Sequence, residues 1–258
     1  DFTNYTIMNG LPDNDARDLF IDNNNEIWVT TRLGVAVFNG QTFRTILDFN
    51  NDNALNLDNV EAVVKSRDGV LFFGQGNRGI VAYDPTSLRN ITKSDGFKRG
   101  NVSDIQFDND NKLWFSNSWG QGLHQIENEK IINSIKEEDG LPSNFVKEFD
   151  FTSDGTMWIA TDNGVATYKD QTVQKVFRKD DGLPTNNVIS LAVDKNDNIW
   201  FYTMKGLTRY NGISFTTYTE DDGLVLPRAN GDVSVDKKGN IKGYITNKEL
   251  KDSLTKGK

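Results

Sequence analysis

The sequence predicts an all-β protein, a six-bladed β-propeller of four-stranded antiparallel blades. Two observations predict this fold. A stretch at residues 139–161, DGLPSNFVKEFDFTSDGTMWIAT, returns at residues 181–203 as DGLPTNNVISLAVDKNDNIWFYT. Such stretches recur at steps of 42 or 44 residues, and one unit carries four short strand signals with no helical spacing. Four antiparallel strands in about 42 residues form the blade of a propeller.

One position of the repeat, which we call the aromatic slot, anchors the register. It is occupied in the six units by Trp28, Phe72, Trp114, Trp158, Trp200 and Lys242. A single four-stranded sheet has two apolar faces and covers neither by itself. We therefore expect the blades to stack radially and to bury the slot side chains between neighbouring blades.

The fifth unit shows how each strand is predicted. The apolar run VISLAV, 188–193, is the first strand, and DKNDN is a turn cluster. IWFYT is the second strand, and LTRY is the third. The third strand is closed by Asn-Gly, which is a strong two-residue hairpin signal. SFTTY alternates polar and apolar residues and is the fourth strand.

The ends of the chain are predicted to complete the ring. The sixth unit has no clear fourth strand, whereas DFTNYT at 1–6 matches SFTTYT at 214–219, a fourth strand. We expect the N-terminal strand to become the outer strand of the last blade, because an open ring leaves edge strands free to aggregate. The predicted organisation is one domain, 1–258, with repeats at about 8–46, 47–91, 92–135, 136–177, 178–219 and 220–258 plus 1–7.

Composition excludes several functions. The net charge is −8 and no Lys/Arg cluster is present, so no nucleic-acid partner is expected. The chain has no Cys, which excludes disulfides and thiolate chemistry. No uncharged apolar run approaches the roughly 18 residues of a membrane span. The single His, His124, is interpreted as a core group on a third strand, with a catalytic role as the alternative.

Acidic turns are candidates for metal binding or acid–base chemistry. Asp194, Asn196 and Asn198 have the first spacings of an EF-hand loop, but the apolar Ile199 stands where that loop needs Gly. Turn chemistry is the interpretation, with calcium as the alternative. The runs EEDG, DDG and EDDG offer paired carboxylates for glycoside hydrolysis. They repeat with the scaffold, so solvated turns are favoured, and no catalytic residue, metal or cofactor is predicted.

Units one, four and five resemble two-component regulator propeller repeats. The resemblance rests on Gly-Leu-Pro, an apolar run, Asp, a polar turn, Trp, Thr and Gly at fixed offsets. It implies a sensor region of bacterial hybrid two-component systems, which often sense glycans. It also implies a periplasmic, cell-surface or secreted location. The shared pattern is scaffold, so the resemblance transfers no functional residues.

Positions that depart from the repeat are the candidate site. The turns between second and third strands are expected around the mouth of the channel, together with the inter-blade loops. Their tips carry the candidate ligand-binding residues Arg32, Asn77, Arg78, Trp119 and Lys205. Trp119 is the one Trp outside the slot, and it is either a platform for a sugar or peptide or a side chain packed on its neighbour.

The predicted function is an extracytoplasmic ligand-binding or sensor module, with the glycan preference implied by the resemblance alone. The alternative is a protein–protein scaffold of a surface or secretion assembly. A carbohydrate-active enzyme is the least favoured reading, because no asymmetric acid pair is found. The expected partners are accordingly a small ligand, an oligosaccharide or another protein.

Overall fold

The computed structural model describes residues 4–22, 26–48, 60–76, 79–84, 87–90, 100–128, 130–224, 233–235 and 241–242. These residues form five four-stranded antiparallel sheets, one two-stranded sheet and four 3-10 helices of three residues each. Each four-stranded sheet keeps chain order, so each is one blade built from consecutive strands.

The strands follow the predicted repeat. Blade one contains β1 Ala16–Ile21, β2 Ile27–Thr31, β3 Gly34–Phe38 and β4 Phe43–Asp48. Blade two contains β5 Val60–Lys65, β6 Leu71–Gln75, β7 Gly79–Asp84 and β8 Ser87–Asn90. Blade three contains β9 Val102–Phe107, β10 Leu113–Asn117, β11 Leu123–Glu127 and β12 Lys130–Ile135. Blade four contains β13 Val146–Phe151, β14 Met157–Thr161, β15 Gly164–Lys169 and β16 Thr172–Phe177. Blade five contains β17 Ser190–Val193, β18 Ile199–Thr203, β19 Gly206–Tyr210 and β20 Phe215–Tyr218. The two-stranded sheet pairs β21 Ser234–Val235 with β22 Ile241–Lys242.

The Gly-Leu-Pro segment of the repeat follows a short 3-10 helix. These helices are Ile7–Asn9, Glu137–Asp139, Lys179–Asp181 and Glu220–Asp222. The side chain of the last helical residue accepts a hydrogen bond from the backbone N–H just before the helix, as Asp181 does from Arg178 at 2.8 Å. The next residue is a left-handed Gly, here Gly182 at φ 119°, a conformation that favours glycine. Leu183 then turns into the core and is buried.

The four slot Trp side chains are buried, as predicted, and Phe72 is partly buried. The four slot Trp residues are at most 7% exposed. Trp158 of blade four lies 5.3 Å from Phe177 and 5.5 Å from Tyr210 of blade five, measured between ring centroids. Trp28 of blade one packs under the Lys65 ammonium of blade two, 4.7 Å from the ring centroid. The slot therefore fills the space between successive blades within these pairs.

The prediction of six blades closed by the N-terminus is wrong. The structure has five four-stranded blades, and among the described residues the sixth repeat contributes only the short strands β21 and β22. Residues 4–6 form no strand, while residues 1–3 lie outside the described part. The Tyr5 ring packs in blade one, 5.1 Å from Phe38 and 5.5 Å from Phe43.

The misleading match at the N-terminus has a local cause. Tyr5 and Thr6 precede a 3-10 helix and Gly10, just as Tyr218 and Thr219 precede another 3-10 helix. The two segments are therefore alike because both lead into the same capped turn. The likeness between the two segments therefore does not indicate a shared position as the fourth strand of a blade.

The chain forms two compact units. Unit 1 contains residues 1–119 and 124–133, and unit 2 contains residues 120–123 and 134–258. Blades one and two lie in unit 1, and blades four and five lie in unit 2. Most of blade three belongs to unit 1. None of the helices in the described ranges has the length and apolar character needed to cross a bilayer.

Candidate functional site

The second-to-third-strand turns lie next to the segments that precede the first strands. In blade one, the Arg32 N–H donates to the Asp15 carbonyl at 3.0 Å. In blade three, the Ser118 N–H donates to the Asn101 carbonyl at 2.9 Å. Each turn tip therefore shares a face of its blade with the loop that connects the blades. We call this face the mouth face.

Arg32 lies exposed on the mouth face of blade one. Its Nη2 is 2.9 Å from Oδ2 of Asp13 in an ion pair. The Asp15 backbone N–H and the Arg32 guanidinium, in that order of effect, hold the pKa of the Asp13 carboxyl below its usual value. The positive charge of Arg32 is thus offset locally by an acid, so this blade offers a donor–acceptor pair instead of a bare cation.

Trp119 lies on the longer turn between β10 and β11, and it is 60% exposed. Its backbone N–H donates to Oδ1 of Asn117 at 2.8 Å. The Asn117 side chain is itself fully buried and lies against Gly100. A buried amide therefore fixes the base of the turn while the indole ring remains in solvent.

Of the other three predicted residues, the structure describes Lys205 alone. Lys205 is exposed on the β18–β19 turn of unit 2, where its N–H donates to Thr203 Oγ1 at 3.2 Å. Asn77 and Arg78 lie outside the described residues. Within unit 1, Arg32 and Trp119 are joined by neither a hydrogen bond nor a ring contact. The structure describes three of the five predicted residues on turn tips, and ligand binding by them stays a prediction.

Three carboxylates on the first strands were not predicted from the sequence. β5 and β17 are edge strands of their sheets, and an edge strand has N–H groups without a strand partner. Asp18 of blade one accepts from the Val63 N–H of blade two at 2.9 Å. Glu148 of blade four accepts from the Leu191 N–H of blade five at 2.7 Å. These carboxylates accept hydrogen bonds from N–H groups on the edge strand of the next blade. The sequence signal that could have revealed them is a polar residue inside an apolar first strand.

Asp150 extends this arrangement on β13. Its carboxylate accepts hydrogen bonds from the N–H groups of Val193 and Phe151, both at 2.7 Å. Burial nevertheless raises the pKa of Asp150 to about 6, with the two backbone hydrogen bonds acting in the opposite direction. The desolvation of the ionised form outweighs its hydrogen bonds here.

The acidic turns have a structural role. Oδ1 of Asp194 accepts from the N–H groups of Asn196 and Asn198, at 2.8 and 3.0 Å. Its Oδ2 accepts from Asn198 Nδ2 at 2.8 Å and from the Trp200 indole N–H at 3.1 Å. Both oxygens are therefore used by N–H donors, as the turn interpretation requires. Across the described ranges, no three His, Asp or Glu side chains are arranged to hold a metal.

His124 is buried on β11 and its ring packs on Phe115, with centroids 4.9 Å apart.

The acidic runs before Gly-Leu are also explained in part by contacts. Their last Asp caps the 3-10 helix, as Asp139 does by accepting from the Lys136 N–H at 3.0 Å.

Unit 1 also contains a cleft of about 630 Å³ between blades two and three. Its lining includes the slot residue Phe72, together with Phe107 and Ile126. Arg89, Asp110, Lys112 and Glu127 add charged groups. The sequence analysis did not predict this cleft, although Phe72 stands at a slot position where four of the repeats have Trp.

Two segments of the chain match a known family model. The model is that of the two-component regulator propeller, and it matches residues 10–32 and 182–203. No curated protein sequence gives a significant match to the chain.

Solved structures share the fold at low sequence identity. One, described as the extracellular domain of a hybrid two-component system from B. thetaiotaomicron, is 21% identical with a TM-score of 0.59. The match covers 90% of this chain and 38% of that protein, so this chain spans well under half of its length. Virginiamycin B lyase from Staphylococcus aureus is 13% identical, with a TM-score of 0.67 and coverage of 90% of this chain and 78% of the lyase.

PorZ of Porphyromonas gingivalis, a surface component of the type-IX secretion system, is also similar. It is 13% identical with a TM-score of 0.65, and the match covers 90% of this chain and 38% of PorZ. The three proteins differ in function while sharing the propeller. At these identities, the likeness establishes the fold and leaves the function to the side chains.

Proposed function

We propose that this chain is the ligand-binding propeller of a bacterial extracytoplasmic sensor and that its ligand, an oligosaccharide, binds on the mouth face at Trp119. The observation that carries the proposal is the exposure of this residue. Trp119 is 60% exposed, whereas the four slot Trp residues are at most 7% exposed. Trp is enriched at binding hot spots, where its large ring is covered by the partner.

The geometry of the turn supports binding by this ring. The buried Asn117 amide holds the Trp119 backbone, so little order has to be gained when a ligand arrives. An indole face is flat and apolar and matches the apolar face of a sugar ring. The equivalent turn of blade one presents the Arg32–Asp13 pair, which has donors and acceptors suited to sugar hydroxyls.

The family and the structural neighbour support the sensor context. The family model of two-component regulator propellers matches two segments of the chain, and a similar fold occurs in a protein described as the extracellular domain of a hybrid two-component system. The extracytoplasmic location, the signalling role and the glycan preference are part of the proposal. Ligand binding by the remaining candidates Asn77, Arg78 and Lys205 stays a prediction from the sequence.

The experiment is a glycan array followed by calorimetry with the oligosaccharide that binds. Trp119→Ala should weaken binding by at least about tenfold, or ~1.4 kcal/mol. Ile213→Ala is the matched control, because Ile213 is another exposed apolar residue, on the β19–β20 turn. Equal affinities of the native protein and Trp119→Ala would reject the assignment of the site.

A protein–protein scaffold is the second candidate, and β1 favours it. Leu19 is 59% exposed, whereas the residues at the same repeat position, Val63 and Ile105, are buried between blades. An apolar residue left uncovered on a first strand is a place where another protein could dock. Two results together would favour this candidate. The oligosaccharide affinity would be the same in Trp119→Ala as in the native protein, and a co-purifying protein would be lost from Leu19→Glu.

A further inference from the structure

The cleft in unit 1 lies at a blade interface that has smaller side chains at two of the matching positions. Between blades four and five of unit 2, Trp158, Tyr210 and Phe215 fill the interface, and Tyr210 lies 4.6 Å from Phe215. Between blades two and three of unit 1, Phe72 stands at the position of Trp158 and Ile126 at that of Tyr210. A smaller side chain at a matching position leaves space between neighbouring sheets.

The size of the cleft suits a small molecule. Its volume is about 630 Å³. Ligand sites in proteins generally measure about 300–1,000 Å³ and combine apolar walls with a few polar groups. This interface is therefore incompletely filled by the protein and has room for a ring of the kind that occupies the slot in the other blades.

One part of the cleft wall is apolar and aromatic. Phe72 and Phe107 meet edge to face, with ring centroids 5.5 Å apart and planes at 80°. Ala82, Leu113 and Ile126 complete the apolar lining. Aromatic rings favour edge-to-face and offset-stacked contacts, so this pair can pack against a further planar ring.

The rim carries balanced charges on exposed side chains. Arg89 and Lys112 supply two cations, and Asp110 and Glu127 supply two carboxylates. The turn that carries Asp110 and Lys112 is held by Asp108, whose Oδ1 accepts from their N–H groups at 3.0 and 2.8 Å. Both signs of charge therefore stand at the opening, with one of each on a turn of fixed geometry.

We infer that this cleft binds a small compound made of a planar ring and a zwitterionic head group, the chemistry of an aromatic amino acid. The ring of the ligand packs against the Phe72–Phe107 pair. The carboxylate of the ligand lies toward Arg89 and Lys112, and its ammonium group lies toward Asp110 and Glu127. The cleft opens beside the turn between first and second strands, whereas Trp119 stands on the turn between second and third strands. This site is accordingly distinct from the proposed oligosaccharide site.

The test is calorimetric titration of the whole chain with three probes that share one ring. L-Tryptophan carries both charges, indole-3-propionate carries only the carboxylate, and tryptamine carries only the ammonium group. We expect L-tryptophan to bind at least about fivefold more tightly than either of the others. Failure of all three probes to saturate at millimolar concentration, or equal affinity of a singly charged probe, would overturn the inference.

Two variants locate the site. Phe72→Trp restores the usual slot residue and should abolish binding of all three probes. Arg89→Gln lies on the exposed rim and keeps the inference testable if Phe72→Trp does not fold. It should weaken L-tryptophan binding about tenfold and leave tryptamine binding unchanged. Native-like L-tryptophan affinity in a folded Phe72→Trp variant, or equal losses for both probes in Arg89→Gln, would reject the site.

Trp119→Ala is the control that separates the two proposals. It should bind L-tryptophan with native affinity, because Trp119 does not line the cleft. A loss of L-tryptophan binding in this variant would count against the cleft. A loss confined to the oligosaccharide would leave the cleft intact and support the mouth site.

Discussion

Replacing Trp158 by Ala should strongly destabilise unit 2. Trp158 is only 7% exposed and lies at the interface of blades four and five. It contacts Phe177 and Tyr210, and its ring centroid is 6.0 Å from that of Phe201. The loss of this side chain would therefore leave a cavity with three aromatic walls.

The magnitude follows from the buried area. A Trp buries on the order of 200 Å², which corresponds to about 5 kcal/mol at ~25 cal/mol per Å². Residual burial in the unfolded chain lowers this value by roughly 10–40%. We expect a loss of about 3–5 kcal/mol in the free energy of unfolding, the range measured for large aromatic residues in other cores.

Urea denaturation followed by circular dichroism measures this loss. Trp119→Ala is the matched control, since it deletes the same side chain at an exposed site and should cost under about 1 kcal/mol. Similar losses in the two variants would refute the reasoning, because they would show that interface burial does not decide the contribution of a Trp in this protein.

Two further predictions concern carboxylates. The pKa of Asp150 is raised to about 6, so the folded protein holds this proton more tightly than the unfolded chain. Its contribution to stability is full below about pH 4 and is lost as the pH rises through about 6. Native protein should therefore lose up to about 3 kcal/mol more than Asp150→Asn between pH 4 and 7 in urea titrations, and parallel pH profiles would contradict this. Asp194→Ala removes the acceptor for Trp200 and for the turn N–H groups, and should cost about 2–3 kcal/mol. The melting temperature of the native protein should not rise with millimolar calcium; a calcium-dependent rise abolished by Asp194→Ala would instead establish a metal site.

The local conformation of each blade was predictable because short-range chemistry decides it. Asn211 and Gly212 lie in the loop of the fifth-unit hairpin as expected, but the loop between the paired residues Tyr210 and Phe215 is longer than the predicted two-residue turn. The slot was also predictable, because an aromatic residue at a fixed period has to be buried between repeats. Trp200 is 1% exposed.

The number of blades was not predictable from repeat counting. A degenerate repeat still matches at scattered positions, and Lys242 aligns with the slot without supplying the aromatic side chain that stabilises an interface. The N-terminal match was misleading for a related reason, since Tyr5 and Thr6 obey the rules of a capped 3-10 turn. A local sequence pattern predicts the turn that a segment forms, but it does not predict which sheet the segment joins.

The sequence by itself determined the repeated blade, its turns and the burial of its slot, because neighbouring residues in the chain encode all three. Only the tertiary structure decided which side chains from different blades meet. The raised pKa of Asp150 and the cleft beside Phe72 both depend on residues about 40 positions apart that the stacking of sheets brings together. Binding sites in this protein belong to that second class, because a repeat fixes the scaffold and the departures from it acquire a function only beside their spatial neighbours.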